Sequence, residues 1–299
     1  MKLIVSLLLF ISVPVTLFAQ KDSTDVENNN IRDKNDSAMT DYNIFTPKLI
    51  HVSEKEIISA IDNLPSFAVY QDLFFVAGIP LNEKITKTTA DAAIQISFRQ
   101  RLTRSVLPFK LFAYLTYTQK SFWNIYMDSR PFRDTNYNPG IGLGRYLVYK
   151  NQLVGGAFIQ LKHESNGLDE EESRSWNYLD FTAKYYFNPQ FNITGEFWIP
   201  FSKGSDNKDL IDYKGLGQLS FNYISHEQRW WLSAELNKRK KVGNINTTLS
   251  LGYILSKDTN LYLFSRFYNG YAESLLDYNK YTMNIRVGIC IKPDFYSIY

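Results

Sequence analysis

Cysteine occurs once in 299 residues, at Cys290, so no disulfide framework can form within the chain. Beyond the N-terminal stretch there is also no long apolar run: nothing approaches the roughly 18 apolar residues of a membrane-spanning helix. An excess of charge is missing too. The chain has 33 basic and 30 acidic residues, a net charge of +3, which removes the electrostatic case for nucleic-acid binding. Helical periodicity is weak throughout, with one short helix expected near residues 54–63. These absences leave two architectures, a soluble β fold or a chain that crosses a membrane as a β-barrel.

What the chain does have is aromatic side chains. They make up 16% of it, with 21 Tyr and 21 Phe, at a mean hydropathy of -0.27. A transmembrane barrel needs aromatic girdles at both membrane interfaces and suits such a composition. The N-terminus, MKLIVSLLLFISVPVTLFAQ, has a basic Lys2, an apolar stretch and a small residue at Ala19; residues 1–19 read as a secretory signal. No cysteine follows to carry a lipid anchor. Residues 20–64 are mostly charged and Asn-rich and read as a flexible arm, with residues 65–299 as the folded domain.

From residue 65 onward the chain breaks into twelve segments of alternating polarity: about 66–80, 89–102, 108–122, 137–149, 152–165, 174–187, 190–201, 214–225, 229–239, 244–256, 260–272 and 281–292. In one of them Phe191, Ile193, Phe197 and Ile199 oppose Asn192, Thr194, Glu196 and Trp198. Tight links near 149–151, 188–190, 226–228 and 257–259 alternate with long ones near 123–136, 166–173, 202–213 and 273–280. Even strand number, charges at mid-strand and short turns opposite long loops together predict an all-β, transmembrane antiparallel β-barrel of twelve strands, of outer-membrane type. Its termini are expected in the periplasm, and the aromatic 294–299 end is expected to continue the last strand to the interface. A soluble periplasmic sandwich is the competing architecture.

Residues 157–187 carry the chemistry. As a strand, the first half puts Ala157, Ile159, Leu161, His163 and Ser165 on one face and Phe158, Gln160, Lys162 and Glu164 on the other. In the second half Asn177 shares a face with Leu179, Phe181, Ala183 and Tyr185. In a barrel the apolar face looks into lipid, where polar groups are costly and mark function. The roles that follow are Ser165 as nucleophile, His163 as general base and Asn177 as the group orienting the imidazole. Gly167 can offer a backbone N–H to an oxyanion. The acidic loop at residues 167–173 suggests a hard cation held by oxygens. A solvated acidic loop and a fortuitous His-x-Ser are the plain alternatives, as is a non-catalytic barrel such as a small porin.

Five blocks, YTQKS (117–121), PFRDTNYNP (131–139), HESNG (163–167), SRSWN (173–177) and GYAESLLDYN (270–279), together resemble the outer-membrane phospholipase A family. The resemblance implies a calcium-dependent hydrolase of phospholipid and lysophospholipid acyl esters, active as a homodimer in the outer membrane. It implies His163, Ser165 and Asn177 as catalytic residues and Gly167 as the oxyanion glycine. It also implies Ca2+ ligands: the Ser173 hydroxyl, the Leu168 carbonyl and the carbonyl of Ser129 of the partner subunit, with Glu170 at a second acidic position where the family has Asp. Leu168 stands where the family usually has Arg, and Asp169 competes with Glu170. Gln119, on the lipid-side parity of its strand, matches a dimer-interface glutamine. Of the remaining features, the basic run at 238–241 could meet lipopolysaccharide phosphates or simply be solvated. Ser274 and Tyr278 are expected to order the last long loop, and Cys290 faces the lumen without a role.

Overall fold

The computed structural model describes residues 53–240 and 243–299; the expected signal at 1–19 and the arm up to residue 52 lie outside the described residues. Twelve antiparallel strands close into a ring. The first, β1, is interrupted: Phe67–Val69 and Leu73–Pro80 both pair with β2, Asp91–Arg101. The others are β3 Phe112–Trp123, β4 Phe132–Tyr149, β5 Gln152–Ser165, β6 Ser175–Asn188, β7 Phe191–Lys203, β8 Gly217–Ile224, β9 Trp230–Lys238, β10 Ile245–Ser256, β11 Leu261–Gly270 and β12 Thr282–Ile291. β12 pairs back onto β1 through Cys290↔Phe74 and Asn284↔Pro80, which closes the barrel and excludes an open sandwich. No described helix is long and apolar enough to cross a membrane.

All twelve expected segments are strands, because each alternates with the pleat. Ile159, Leu161, Phe181, Phe197, Ile199, Leu249, Leu251, Val287 and Ile289 are exposed on the outer wall. Their neighbours Phe158, Gln160, Asp180, Trp198, Thr248 and Cys290 are buried in the interior. The links also alternate in length. The β4–β5 turn has positive φ at both central residues, Lys150 (49°) and Asn151 (59°), as a two-residue hairpin turn demands. One difference lies at the other end: β4 starts at Phe132, so the block at 132–136 is strand rather than loop. Asp134 and Asn136 are buried on the inner parity, and Thr135 and Tyr137 take the outer one.

The interior is narrowed at both ends. At the long-loop end, loop 271–281 and the helix α2, Leu210–Lys214, fold over the lumen. Leu275, Tyr278 and Leu210 pack there with Trp176, Tyr178 and Trp198. The 271–281 loop is pinned by Asn136 Oδ1 accepting from the Leu275 N–H (3.0 Å) and Asp134 Oδ2 accepting from the Leu276 N–H (3.1 Å). Its Glu273 pairs with Arg286 at 2.7 Å, and Arg286 also grips Asp91 at 2.7 Å.

At the short-turn end the expectation for 294–299 does not hold. β12 stops at Ile291, and the segment after it turns into the barrel instead of lengthening the strand. Ile298 and Tyr299 pack with Phe112, Tyr114, Tyr146 and Phe158, and Phe295 packs with Tyr186, Trp231 and Tyr262. Tyr186 donates its hydroxyl hydrogen to the carbonyls of Phe295 (2.9 Å) and Ser297 (2.7 Å). Apolar bulk drives these rings out of water and into the aromatic clusters at this end of the barrel. The expected short helix is α1, Glu54–Asp62, begun by a capping box between Ser53 and Glu56. The end of the helix is held by Arg101, which donates to the carbonyls of Ile61, Asp62 and Leu64. Between the two caps a polar cavity of about 360 Å³ remains, lined by groups such as Lys120, Glu196, Glu235 and Arg266.

Candidate active site

The hairpin β5–β6 sets the site. Its register places His163 directly opposite Asn177 and Ser165 opposite Ser175. All four lie on the outward parity, half-buried, above the exposed Leu161, Ile159 and Phe181. His163 Nδ1 and Asn177 Oδ1 are 2.8 Å apart. The amide oxygen can only accept, so Nδ1 carries the proton and Nε2 is left as an acceptor. Ser165 stands two residues along the same strand, about 7 Å on by strand rise. Among the described residues no hydrogen bond joins its hydroxyl to His163, a looseness common before substrate is bound.

Gly167 follows at φ +68°, a left-handed conformation that a side chain resists. A Cβ there would meet the Tyr137 ring at 3.1 Å, so this position is closed to larger residues on two grounds. Among the described residues the Gly167 N–H has no protein acceptor, so it is free to donate to an oxygen arriving beside Ser165.

The acidic loop is organised by Asn166, which is only 3% exposed. Its Oδ1 accepts from the Arg174 N–H (2.9 Å) and its Nδ2 donates to the Glu172 carbonyl (2.8 Å). This cross-brace turns the loop outward, with Leu168, Asp169, Glu170, Glu171 and Glu172 exposed and Ser173 half-buried. The carboxylates of 169–172 have no ion-pair partner, and the Ser173 hydroxyl and Leu168 carbonyl are unengaged, among the described residues. These are hard oxygen donors of the kind Ca2+ takes. No group of three His, Cys, Asp or Glu side chains converges on a metal position among the described residues. Ser129 lies apart, exposed in the β3–β4 loop.

Gln119 is not alone on the lipid side. Tyr117 donates its hydroxyl hydrogen to Gln119 Oε1 (2.9 Å), Gln119 Nε2 donates to Ser121 Oγ (3.3 Å), and Thr135 Oγ1 donates to the same Ser121 oxygen (3.1 Å). Tyr137 sits beside Gln119 in register and beside Ser165 on its other side. The outward polar groups thus form a band across four strands, from Tyr117 to Asn177. Reading residues 132–136 as loop hid Thr135 from the sequence; its alternation with Asp134 and Asn136 was the signal that could have found it.

Beneath the wall the inner face of the hairpin is tied down. Glu164 accepts from Trp176 Nε1 (2.7 Å) and pairs with Lys214 of α2 (2.8 Å). Lys162 and Asp180 form a buried pair at 2.6 Å.

Comparison with known proteins agrees with the barrel fold. The family model described as phospholipase A1 matches residues 78–291. Phospholipase A1 of Escherichia coli strain K12 is 32% identical over 209 residues, spanning 69% of this chain and 71% of that protein. Among solved structures, the Salmonella typhi outer membrane phospholipase dimer with bound calcium is 25% identical with a TM-score of 0.69, covering 81% of this chain and 99% of that one. An active-site variant of outer membrane phospholipase A from Escherichia coli, with an asparagine changed to alanine, is also 25% identical, at a TM-score of 0.68 and coverages of 81% and 99%.

Proposed function

As the chain belongs to the phospholipase A1 family of phospholipid-hydrolysing esterases, we propose that it cleaves acyl esters of phospholipids and lysophospholipids through Ser165, His163 and Asn177. The barrel is of the outer-membrane kind, and the polar band on its outer wall meets lipid where the ester groups lie. The observation that carries the reading is the 2.8 Å contact between His163 Nδ1 and Asn177 Oδ1, on the outward face beside Ser165.

In the first half-reaction His163 Nε2 takes the proton of the Ser165 hydroxyl as Oγ attacks the ester carbonyl. The Gly167 N–H donates to the oxygen on which negative charge develops. The tetrahedral intermediate collapses, the bond to the lysolipid alkoxide breaks, and His163 returns the proton to that oxygen. Water then enters, His163 takes its proton, and the serine ester is hydrolysed to free fatty acid and regenerated Ser165. Asn177 keeps Nδ1 protonated and the ring in plane throughout. Being neutral, it costs less to hold near lipid than a carboxylate.

The donor set of the acidic loop fits a calcium ion held by Ser173 and Leu168, with Ser129 of the partner subunit completing it and Glu170 at a second position. When bound, such an ion supplies positive charge to the oxyanion. Two barrels pair along their lipid faces through Gln119, with Tyr117, Ser121 and Thr135 ordering it. The relative solved as a dimer with bound calcium supports a calcium ion and a dimer, without bearing on which residues serve them. The long loops face outside the cell and the termini the periplasm.

A phospholipid hydrolysis assay in detergent tests the reading, comparing wild type with Ser165→Ala and calcium with excess chelator. Loss of turnover in the variant and in chelator is expected. Full hydrolysis by Ser165→Ala would remove the site, and full hydrolysis in chelator would remove the metal.

A further inference from the structure

The strand ladder has a gap beside the proposed base. β4 and β5 pair at Tyr137↔Ser165 and again at Gly140↔Lys162, but the two positions between them are unpaired. Extending the register puts Pro139 opposite His163. Both missing positions depend on one hydrogen bond, from the N–H of residue 139 to the His163 carbonyl, and proline has no N–H. Proline inside a paired strand leaves an orphaned carbonyl unless another donor reaches it. Here one does. Asn138 Nδ2 donates to the His163 carbonyl at 2.9 Å and to the Tyr178 hydroxyl at 3.0 Å. Tyr178 is buried, stacked on Trp176 with ring centroids 3.8 Å apart, so the amide hangs from the rigid interior cap.

We infer that Asn138 is a positioning residue for His163: its side-chain amide replaces the ladder bond that Pro139 deletes and fixes the backbone from which the imidazole reaches Asn177. The inference rests on the reading of the site given above. It makes the inner face of the barrel a participant in chemistry on the outer face, across one strand. It also accounts for the Asn-Pro pair at 138–139. Pro139 presents an exposed apolar ring beside His163, and Asn138 restores the bond that ring removes.

The test is steady-state hydrolysis of a micellar phospholipid by purified wild type, Asn138→Ala, the double variant Asn138→Ala with Pro139→Ala, and Ser165→Ala, each with calcium. Heat-modifiable gel migration reports folding. Asn138→Ala is expected to lower kcat about fivefold, the worth of one lost neutral hydrogen bond, with KM unchanged. The double variant regains a backbone N–H opposite His163 and is expected to recover most of that loss. A general packing defect would not be rescued by a second truncation. Wild-type kcat in Asn138→Ala overturns the inference, as does a double variant as slow as the single one. If Asn138→Ala loses its folded band, Tyr178→Phe carries the test. It removes the second acceptor of the same amide and is expected to cost about twofold in kcat; an unchanged kcat overturns the inference. Ser165→Ala separates the two readings: an inactive Ser165→Ala beside an unimpaired Asn138→Ala sinks only the positioning role, whereas an active Ser165→Ala sinks the site itself.

Discussion

At the scale of single residues, the site depends on small atoms in fixed orientations. Asn177 contributes one oxygen to His163 Nδ1. Asn177→Ala should therefore lower kcat by about 10- to 100-fold and leave a measurable remainder, because nucleophile and oxyanion donor persist. Wild-type rates in a micellar assay would refute the orienting role. Gly167→Ala should also lower kcat, since the new methyl must move the Tyr137 ring or the left-handed backbone; holding a non-glycine there costs about 1–3 kcal/mol. A variant with full activity would mean that the N–H of this residue is not used. The parity of His163, Ser165 and Asn177 was legible in the sequence because a strand repeats every two residues. The role of Asn138 was not. It depends on which strand lies across from Pro139, and alternation alone does not fix register between neighbours.

At the scale of elements, twelve strands could be read from alternation, but not what their loops do. Nothing in GYAESLLDYN says that it folds inward rather than outward. The reason is in the fold: Asp134 and Asn136, some 140 residues earlier, offer acceptors for its backbone, and Arg286 offers a cation for Glu273. Burial works against the charge of Glu273, but Arg286, Lys120 and Arg266 outweigh it and hold the carboxyl down at about 2. A depressed carboxylate stabilises the fold fully above its unfolded value near 4.5, and that contribution is lost as pH falls through about 2. The loop should thus stay docked at pH 4 and release toward pH 2. Trp176 and Trp198 pack against it, so tryptophan emission in detergent reports the change. Release already complete at pH 4 would show that the pairing is not what holds it. The tail at 294–299 escaped the sequence for the same reason: aromatic residues suit a membrane interface and an aromatic-lined barrel end equally.

At the scale of the whole molecule, the acidic loop and the Gln119 band sit on one side of one barrel. Chelation should stop turnover while leaving heat-modifiable migration unchanged, because the ring of strand pairs does not involve the loop oxygens. Gln119→Ala should weaken association between barrels, read by crosslinking in detergent, and lower activity at low protein concentration more than at high. Equal loss at every concentration would point to a defect within one barrel instead.

Loop 271–281 connects β11 to β12, the last two strands, yet it packs against Trp176 and Tyr178 of the β5–β6 hairpin on the far wall. The hairpin itself needs only residues close in sequence, so it can form early. The part of its inner support that Leu275 and Tyr278 give arrives only when the last strands are in place. A barrel caught before closure therefore has the hairpin without the packing of Leu275 and Tyr278 beneath it.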